Sequence, residues 1–319
     1  MAPEPGGDAA RLRALLREQF ADEVEGVRPL ARGTFSRAFA FAAGGREYVV
    51  RLSAAPHAAE AFAKDDYAWR HFASPALPIP RVVAIGRTAD GHFAIGERVA
   101  GRTLDALPPA ERRALLPAGL DTLDAIARTD VRASRGYGPW DGAGHGRFAT
   151  WRDFLAARGQ IEDAGFGRDV PALGRHPAAE REVHEAGYRR MLQLAAHCPE
   201  EHALLHRDYN FANILTDGRR ITGVIDWAQA CYGDPLYDVA WLGWWTAGGP
   251  PSQRGARYDA ALVHARYGAA PRYAERIACY ECRLALDDLR FYAATGGRTQ
   301  YEWTRNWLLA LIAGETGGA

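Results

Sequence analysis

Residues 204–226, LLHRDYNFANILTDGRRITGVID, constrain this chain more than any other stretch. Asp217-Gly218 reads as a turn between two short apolar runs, Ile214-Leu215 and Ile221 to Ile225, so the segment is expected to close as a β-hairpin. Polar groups sit at its outer ends: His206-Arg207-Asp208 and Asn213 on one side, Asp226 on the other. Antiparallel pairing of Ile214 with the region of Val224 brings Asn213 and Asp226 side by side.

That set of groups has a chemistry. Phosphoryl transfer from ATP asks a protein for little covalent work and for much positioning and charge neutralisation. One carboxylate must orient the attacking hydroxyl, while an amide oxygen and a second carboxylate hold the Mg²⁺ that bridges the phosphates. Asp208 suits the first role, and Asn213 and Asp226 suit the second. An Asp and an Asn at this spacing are common by themselves; the whole ordered string is not. Protein kinases use the same order, with Asp-Trp here in place of their Asp-Phe-Gly.

At these residues the chain resembles the aminoglycoside phosphotransferase family. The family pattern is His-Gly-Asp, an Asn in the next turn of the loop, Ile-Asp-Trp or Ile-Asp-Phe, and then Gly-Asp-Pro-x-x-Asp-Leu-Ala. It is matched by His206 to Asp208, Asn213, Ile225 to Trp227, and Gly233 to Ala240. Within the family, the runs Ser36 to Phe39, Arg70 to Pro80, Thr150 to Phe154 and Leu215 to Thr222 resemble the branch that phosphorylates hygromycin B. The resemblance implies an α+β, protein-kinase-like two-lobe fold. A small N-terminal antiparallel-sheet lobe, residues 1–98, would bind nucleotide, and a larger, mainly helical C-terminal lobe, residues 99–319, would carry catalysis and acceptor. ATP and Mg²⁺ are the implied cofactors, and a hydroxyl of an aminoglycoside or aminocyclitol, hygromycin B first, is the implied acceptor. Arg207 stands where the family has glycine and looks instead like the protein-kinase triplet.

On the nucleotide side, two β-rich runs, Phe35 to Phe41 and Tyr48 to Leu52, flank Gly44-Gly45 as in a hairpin. Ala31 to Ser36 occupies the place of a phosphate-covering loop without the full G-x-G-x-x-G pattern, and by resemblance Ser36 touches phosphate. Arg51 stands where kinases carry the lysine that grips the α and β phosphates. The chain's only lysine, Lys64, lies on the following helix, so Arg51 takes the role if any residue does, with a fixed fork in place of a point charge. Residues 58–73 read as that helix, and Asp65 is expected to pair with Arg51, Glu60 and Asp66 being the alternatives. Val82 to Ile85 and His92 to Val99 predict two more strands. Glu97 to Gly101 then reads as the connector whose backbone, at Arg98 and Ala100, meets adenine. Each of these has a plainer reading as a surface arginine, a solvated acid or a linker.

Beyond Thr103, strand signals nearly vanish outside the central hairpin. Residues 109–128, 150–159, 179–197, 235–246, 256–266, 271–293 and 300–313 read as helices, and the Gly-rich Arg132 to Phe148 as a loop. Asp234 is a natural N-cap for the helix that Pro235 begins, and Asp238 a support of the site. His206 is expected to bond the backbone of the second acidic loop. For a polycationic acceptor, Glu281, Asp287 and Asp288 are candidate carboxylates by family position, and otherwise read as plain solvated helix acids. Trp241, followed by Trp244 and Trp245, offers either a sugar-stacking wall or core packing.

The charges, 39 basic and 39 acidic, cancel. No global field therefore favours nucleic acid or an anionic membrane. No apolar run reaches the roughly 20 residues of a membrane span, and no signal-peptide pattern opens the chain. A cytoplasmic monomer with a small-molecule partner is expected, its four cysteines reduced. Two rivals stay open: a metabolite or macrolide kinase of the same fold, and a nucleotide-binding scaffold without catalysis.

Overall fold

In the N-terminal part, alternating apolar and polar residues form a five-stranded antiparallel sheet. Its strands are β1 (Val24–Pro29), β2 (Arg37–Ala43), β3 (Arg46–Ser53), β4 (Val82–Thr88) and β5 (Gly91–Glu97), in the order β1-β2-β3-β5-β4. This is a computed structural model that describes residues 5–30, 36–141, 143–157, 178–246 and 259–314. Gly44 and Gly45 turn β2 into β3 at φ 55° and 73°, values that the favoured two-residue hairpin requires and that side chains resist. Ile95 and Ala94, neighbours in β5, face opposite ways as the pleat demands. Ile95 joins Phe41, Tyr48 and Val50 under Leu12 and Leu16 of helix α1 (Pro5–Gln19). Ala94 packs on Phe62 of helix α2 (Ala58–Phe72), so that helix lies on the other face.

A short strand follows the connector directly. Arg102–Thr103 (β6) pairs with β10 (Ile214–Thr216), whose other neighbour is β11 (Ile221–Val224). The expected hairpin is present in the expected register, with Ile214 opposite Val224. A second small sheet has the order β8-β7-β12-β9: β7 (Tyr137–Trp140), β8 (Gly146–Phe148), β9 (Ala203–Leu205) and β12 (Cys231–Gly233). Reading 132–148 as a loop is therefore corrected. Its glycines do not mark irregular chain; Gly136 and Gly138, at φ 73° and 71°, bend a short hairpin, and Trp140 at its edge is fully buried.

Helices complete the C-terminal part: α3 (Pro109–Ala127), α4 (Trp151–Ala156), α5 (Ala178–Ala195), α6 (Leu236–Thr246), α7 (Ala260–Tyr267), α8 (Tyr273–Thr295) and α9 (Arg298–Ala313). All fall in the predicted places, although residues 158–159 and 256–258 of two predicted helices lie outside the described residues. Helix α8 runs through the middle, with α5, α6 and α9 packed on it. The main core gathers Trp140, Trp151, Trp227, Trp244, Tyr237 and Tyr280, all fully buried. The four cysteines are buried and free, as expected. Among the described residues no helix is long and apolar enough to cross a membrane.

Candidate active site

The loop between β9 and β10 is held by side chains that satisfy its backbone. Asp238, on the first turn of α6, accepts the N–H of His206 at 2.7 Å and of Arg207 at 2.8 Å. The imidazole of His206 accepts the N–H of Asp208 at Nδ1, 3.3 Å away, which leaves the proton on Nε2. That N–H donates to the carbonyl of Ile225 at 3.1 Å. Burial pulls the ring's pKa down to about 4, so it stays neutral. The expected link from His206 to the second acidic loop is thus present. Arg207 sits at φ 60°, in the left-handed region where a glycine costs nothing. Its buried guanidinium lies over the rings of Phe154 and Tyr237, 5.2 and 5.4 Å from their centroids.

Asp208 is fixed at both oxygens. Asn213 donates its amide N–H to Oδ2 and to the Asp208 carbonyl, each at 2.9 Å, and Asn210 donates to Oδ1 at 2.8 Å. The side-chain oxygen of Asn210 in turn accepts the N–H of Ala212 at 2.9 Å, closing an Asx turn. Sequence reasoning missed Asn210; an Asn two positions after a loop Asp is the Asx signal that points to it. Burial, and then the charge of Asp226, push the Asp208 carboxyl up to about 8, against the pull of the two amides. The carbonyl of Asn213 accepts the N–H of Ile225 at 3.0 Å, so the hairpin does bring Asn213 beside the segment that carries Asp226. Asp226 itself adopts φ 67°. Burial and the neighbouring Asp65 raise its pKa, while Arg51 opposes them.

Toward the N-terminal sheet, Arg51 forms an ion pair with Oδ2 of Asp65. The other carboxylate oxygen accepts the N–H of Trp227, next to Asp226, at 2.8 Å. The two alternatives are engaged elsewhere: Glu60 pairs with Arg147, and Asp66 with Arg70 one helical turn on. Ser36 is half-buried just ahead of β2, and residues 31–35 of the supposed phosphate loop lie outside the described residues. In the connector, the N–H of Arg98 is taken by the carbonyl of Glu47 at 3.0 Å, and its side chain by the Glu47 carboxylate at 2.6 Å. The carbonyl of Ala100 accepts the Thr222 hydroxyl at 3.1 Å. This leaves the carbonyl of Arg98 and the N–H of Ala100 without a partner among the described residues. One acceptor and one donor at alternate residues match the donor and acceptor on the edge of adenine.

The acceptor-side candidates do not behave as one solvated acidic face. Glu281 and Asp288, two turns apart, share a face of α8, and Asp287 is turned a further 100°. Asp288 accepts the indole N–H of Trp244 at 2.8 Å. Glu281 is buried against Trp307 and the bare backbone of Gly243. Burial raises both carboxyls, each to about 7. Asp287 is paired with Arg283 at 3.1 Å. The plain solvated reading of these acids is therefore corrected for Glu281 and Asp288, because tryptophans of α6 and α9 cover them. Trp241 is half-buried and packs against the main core, and the side chain of Trp245 lies outside the described residues. Asp234 caps α6 as expected, its Oδ1 accepting the N–H of Leu236 at 3.0 Å, and it also holds Arg276 and the Tyr280 hydroxyl.

The donor set suits a hard divalent cation. With its N–H₂ aimed at Asp208, the oxygen of Asn213 is left as an acceptor, and Asp226 supplies a carboxylate. Among the described residues no three His, Cys, Asp or Glu side chains form a cage of their own. A cation at Asn213 and Asp226 would have room for phosphate oxygens and water, as Mg²⁺ prefers.

The model of the phosphotransferase enzyme family matches residues 26–275. The chain is 35% identical to the hygromycin-B 4-O-kinase of Escherichia coli over 315 residues, 98% of this chain and 88% of that one. Its structure is similar to a thermostable mutant of aminoglycoside phosphotransferase APH(4)-Ia in ternary complex with AMP-PNP and hygromycin B. That match has a TM-score of 0.82 and 33% identity, covering 96% of this chain and 99% of the other. A second mutant of that enzyme, in complex with ADP and hygromycin B, matches with a TM-score of 0.81 at 32% identity, again over 96% and 99%.

Proposed function

This chain belongs to the phosphotransferase enzyme family and is an aminoglycoside phosphotransferase, and we propose that it transfers the γ-phosphoryl group of ATP to the 4-hydroxyl of hygromycin B. In this reading residues 1–98 hold the nucleotide, and residues 99–319 hold the reacting groups and the acceptor. The carbonyl of Arg98 and the N–H of Ala100 meet adenine, Arg51 steadied by Asp65 meets the α and β phosphates, and Ser36 borders the phosphates. The oxygen of Asn213 and the carboxylate of Asp226 would hold Mg²⁺, which would supply the positive charge that phosphoryl transfer needs at the phosphates. Asp208, locked at both oxygens by amides, orients the acceptor hydroxyl and takes its proton as the acceptor oxygen bonds to the γ-phosphorus and the bond to ADP breaks.

Glu281, Asp287 and Asp288 supply negative charge for the ammonium groups of the acceptor, with Trp241 at the wall. The observation that carries the reading is the hairpin: it gathers Asp208, Asn213 and Asp226 at one end, against the Arg51–Asp65 pair. Coupled measurement of ADP release over a panel of aminoglycosides and aminocyclitols tests it. Turnover with hygromycin B and its loss in Asp208→Ala are expected. No turnover with any member of the panel overturns the acceptor assignment.

A further inference from the structure

Lys64, the only lysine of the chain, is buried with 6% of its surface exposed. A buried ammonium is costly unless paired, yet among the described residues no carboxylate is bonded to it. Its Nζ donates to the carbonyl of Ala230 at 2.6 Å and lies 4.7 Å from the ring centroid of Trp140. Asp65, the next residue of α2, accepts the N–H of Trp227 at 2.8 Å. Two consecutive side chains of one helix thus grip both ends of the short turn Trp227–Gln229, which directly follows Asp226. Asp226 has φ 67° and ψ 68°, a strained conformation that persists only where its surroundings over-determine it. Behind Asp226 the backbone is fixed by Asn213 and His206 through Ile225. Ahead of it, among the described residues, Asp65 and Lys64 are the side chains from outside the turn that bond it.

We propose that Lys64 is a positioning residue for the metal-holding carboxylate: by bonding Ala230 it fixes the turn after Asp226, and so sets where that carboxylate points. The inference rests on the reading of Asp226 given above. Burial lowers the ammonium's pKa to about 7, with Cys231 and Glu60 favouring the charge and Arg207 and Arg147 opposing it, so the group persists there at a cost. Trp140 closes the apolar side, which makes the carbonyl of Ala230 the one oxygen that Lys64 engages among the described residues.

The test compares the parent with Lys64→Met by calorimetric binding of a non-hydrolysable ATP analogue at graded Mg²⁺, beside thermal melting. The Mg²⁺ concentration for half-maximal binding is expected to rise at least about tenfold in the variant, the size a lost support of a metal ligand gives. A lower melting temperature with the Mg²⁺ requirement within twofold of the parent would show a structural role only and overturns the proposal. Should Lys64→Met not fold, parent protein labelled with [¹³Cε]lysine decides, because the chain gives a single side-chain signal. That signal moves on adding Mg²⁺ to the analogue complex if Lys64 supports the site, and a signal that stays put overturns the proposal. Analogue binding indifferent to Mg²⁺ in the parent would instead remove the reading of Asp226 itself, and the proposal with it.

Discussion

Replacing Asp65 by Asn isolates one charge in the site. The asparagine keeps an oxygen for the N–H of Trp227, now at 2.8 Å, so the backbone bond survives while the charge opposite Arg51 is lost. The Asp65 side chain is 8% exposed and that of Arg51 27%. Deleting one partner of a fully buried ion pair costs about 3–5 kcal/mol. Arg51 keeps some water and the carboxylate of Asp226 nearby, which should reduce the loss to about 2 kcal/mol. Freed from Asp65, the guanidinium swings toward Asp226 and away from the phosphates. The KM for ATP is therefore expected to rise about tenfold, equivalent to about 1.4 kcal/mol, with the acceptor KM unchanged. Urea unfolding and initial rates over both substrates measure the two effects. A double-mutant cycle with Arg51→Met should return a coupling energy above about 1 kcal/mol. Additive behaviour, or an Asp65→Asn loss below about 0.5 kcal/mol, would refute the reasoning, since the pair would then be no better than a solvated contact.

Asp208→Asn removes the proton acceptor and leaves one oxygen where Asn210 and Asn213 now bond two, so kcat should fall about 10²–10⁴-fold with nucleotide affinity changed far less; rapid-quench rates and analogue binding check both. Glu281→Gln tests the buried carboxyl, whose pKa stands at about 7 in the fold against 4.5 as the ordinary value. The folded state then binds the extra proton, so the parent's stability is complete below about pH 4.5, falls as pH rises to about 7 and is flat above. Melting curves should show the glutamine variant equal to the parent near pH 4 and more stable at pH 8, by up to about 3 kcal/mol; a parent curve flat across that window would sink the claim. Arg207→Gly relieves a left-handed residue worth about 1–2 kcal/mol but forfeits two ring contacts of a desolvated guanidinium, each worth about 2 kcal/mol. A net loss of stability is expected, and a more stable variant would show that backbone strain outweighs the stacking.

Much of the site was legible because hairpin chemistry is local. Asp217-Gly218 between apolar runs dictates a turn, the turn dictates the register of Ile214 with Val224, and the register carries Asn213 to the Asp226 segment. The Arg51–Asp65 pair followed from a strand and a helix in sequence; the 100° step between neighbouring helix positions lets only one of Asp65 and Asp66 face Arg51, and the structure engages Asp66 with Arg70. What stayed hidden depends on contacts between segments far apart. Arg132 to Phe148 reads as a loop because glycine is a turn signal, yet β7 is a strand because it pairs with β12, over 90 residues later. Glu281 and Asp288 look like ordinary helix acids until α6 and α9 bring tryptophans over them. Lys64 gave no motif at all; only the packing of α2 on the turn 227–229 shows what it touches.

The charges around the catalytic loop follow one logic. Asp238 is spent on two backbone N–H groups, Asp65 on Arg51 and the N–H of Trp227, and Asp234 on Arg276. Asp208 has only neutral amides, and Asp226 has the weaker share of Arg51; both are half-buried, and each is raised. Withdrawing two carboxylates from water in this way costs stability that Arg51 returns only in part. A divalent cation arriving with a nucleotide would supply the missing charge at the place where Asn213 turns its oxygen. The imbalance of the resting site is in this sense the physical complement of the proposed ligand. Acidity at the acceptor side has the same character, since Glu281 and Asp288 are held near neutrality by burial and would regain their charge beside an ammonium group.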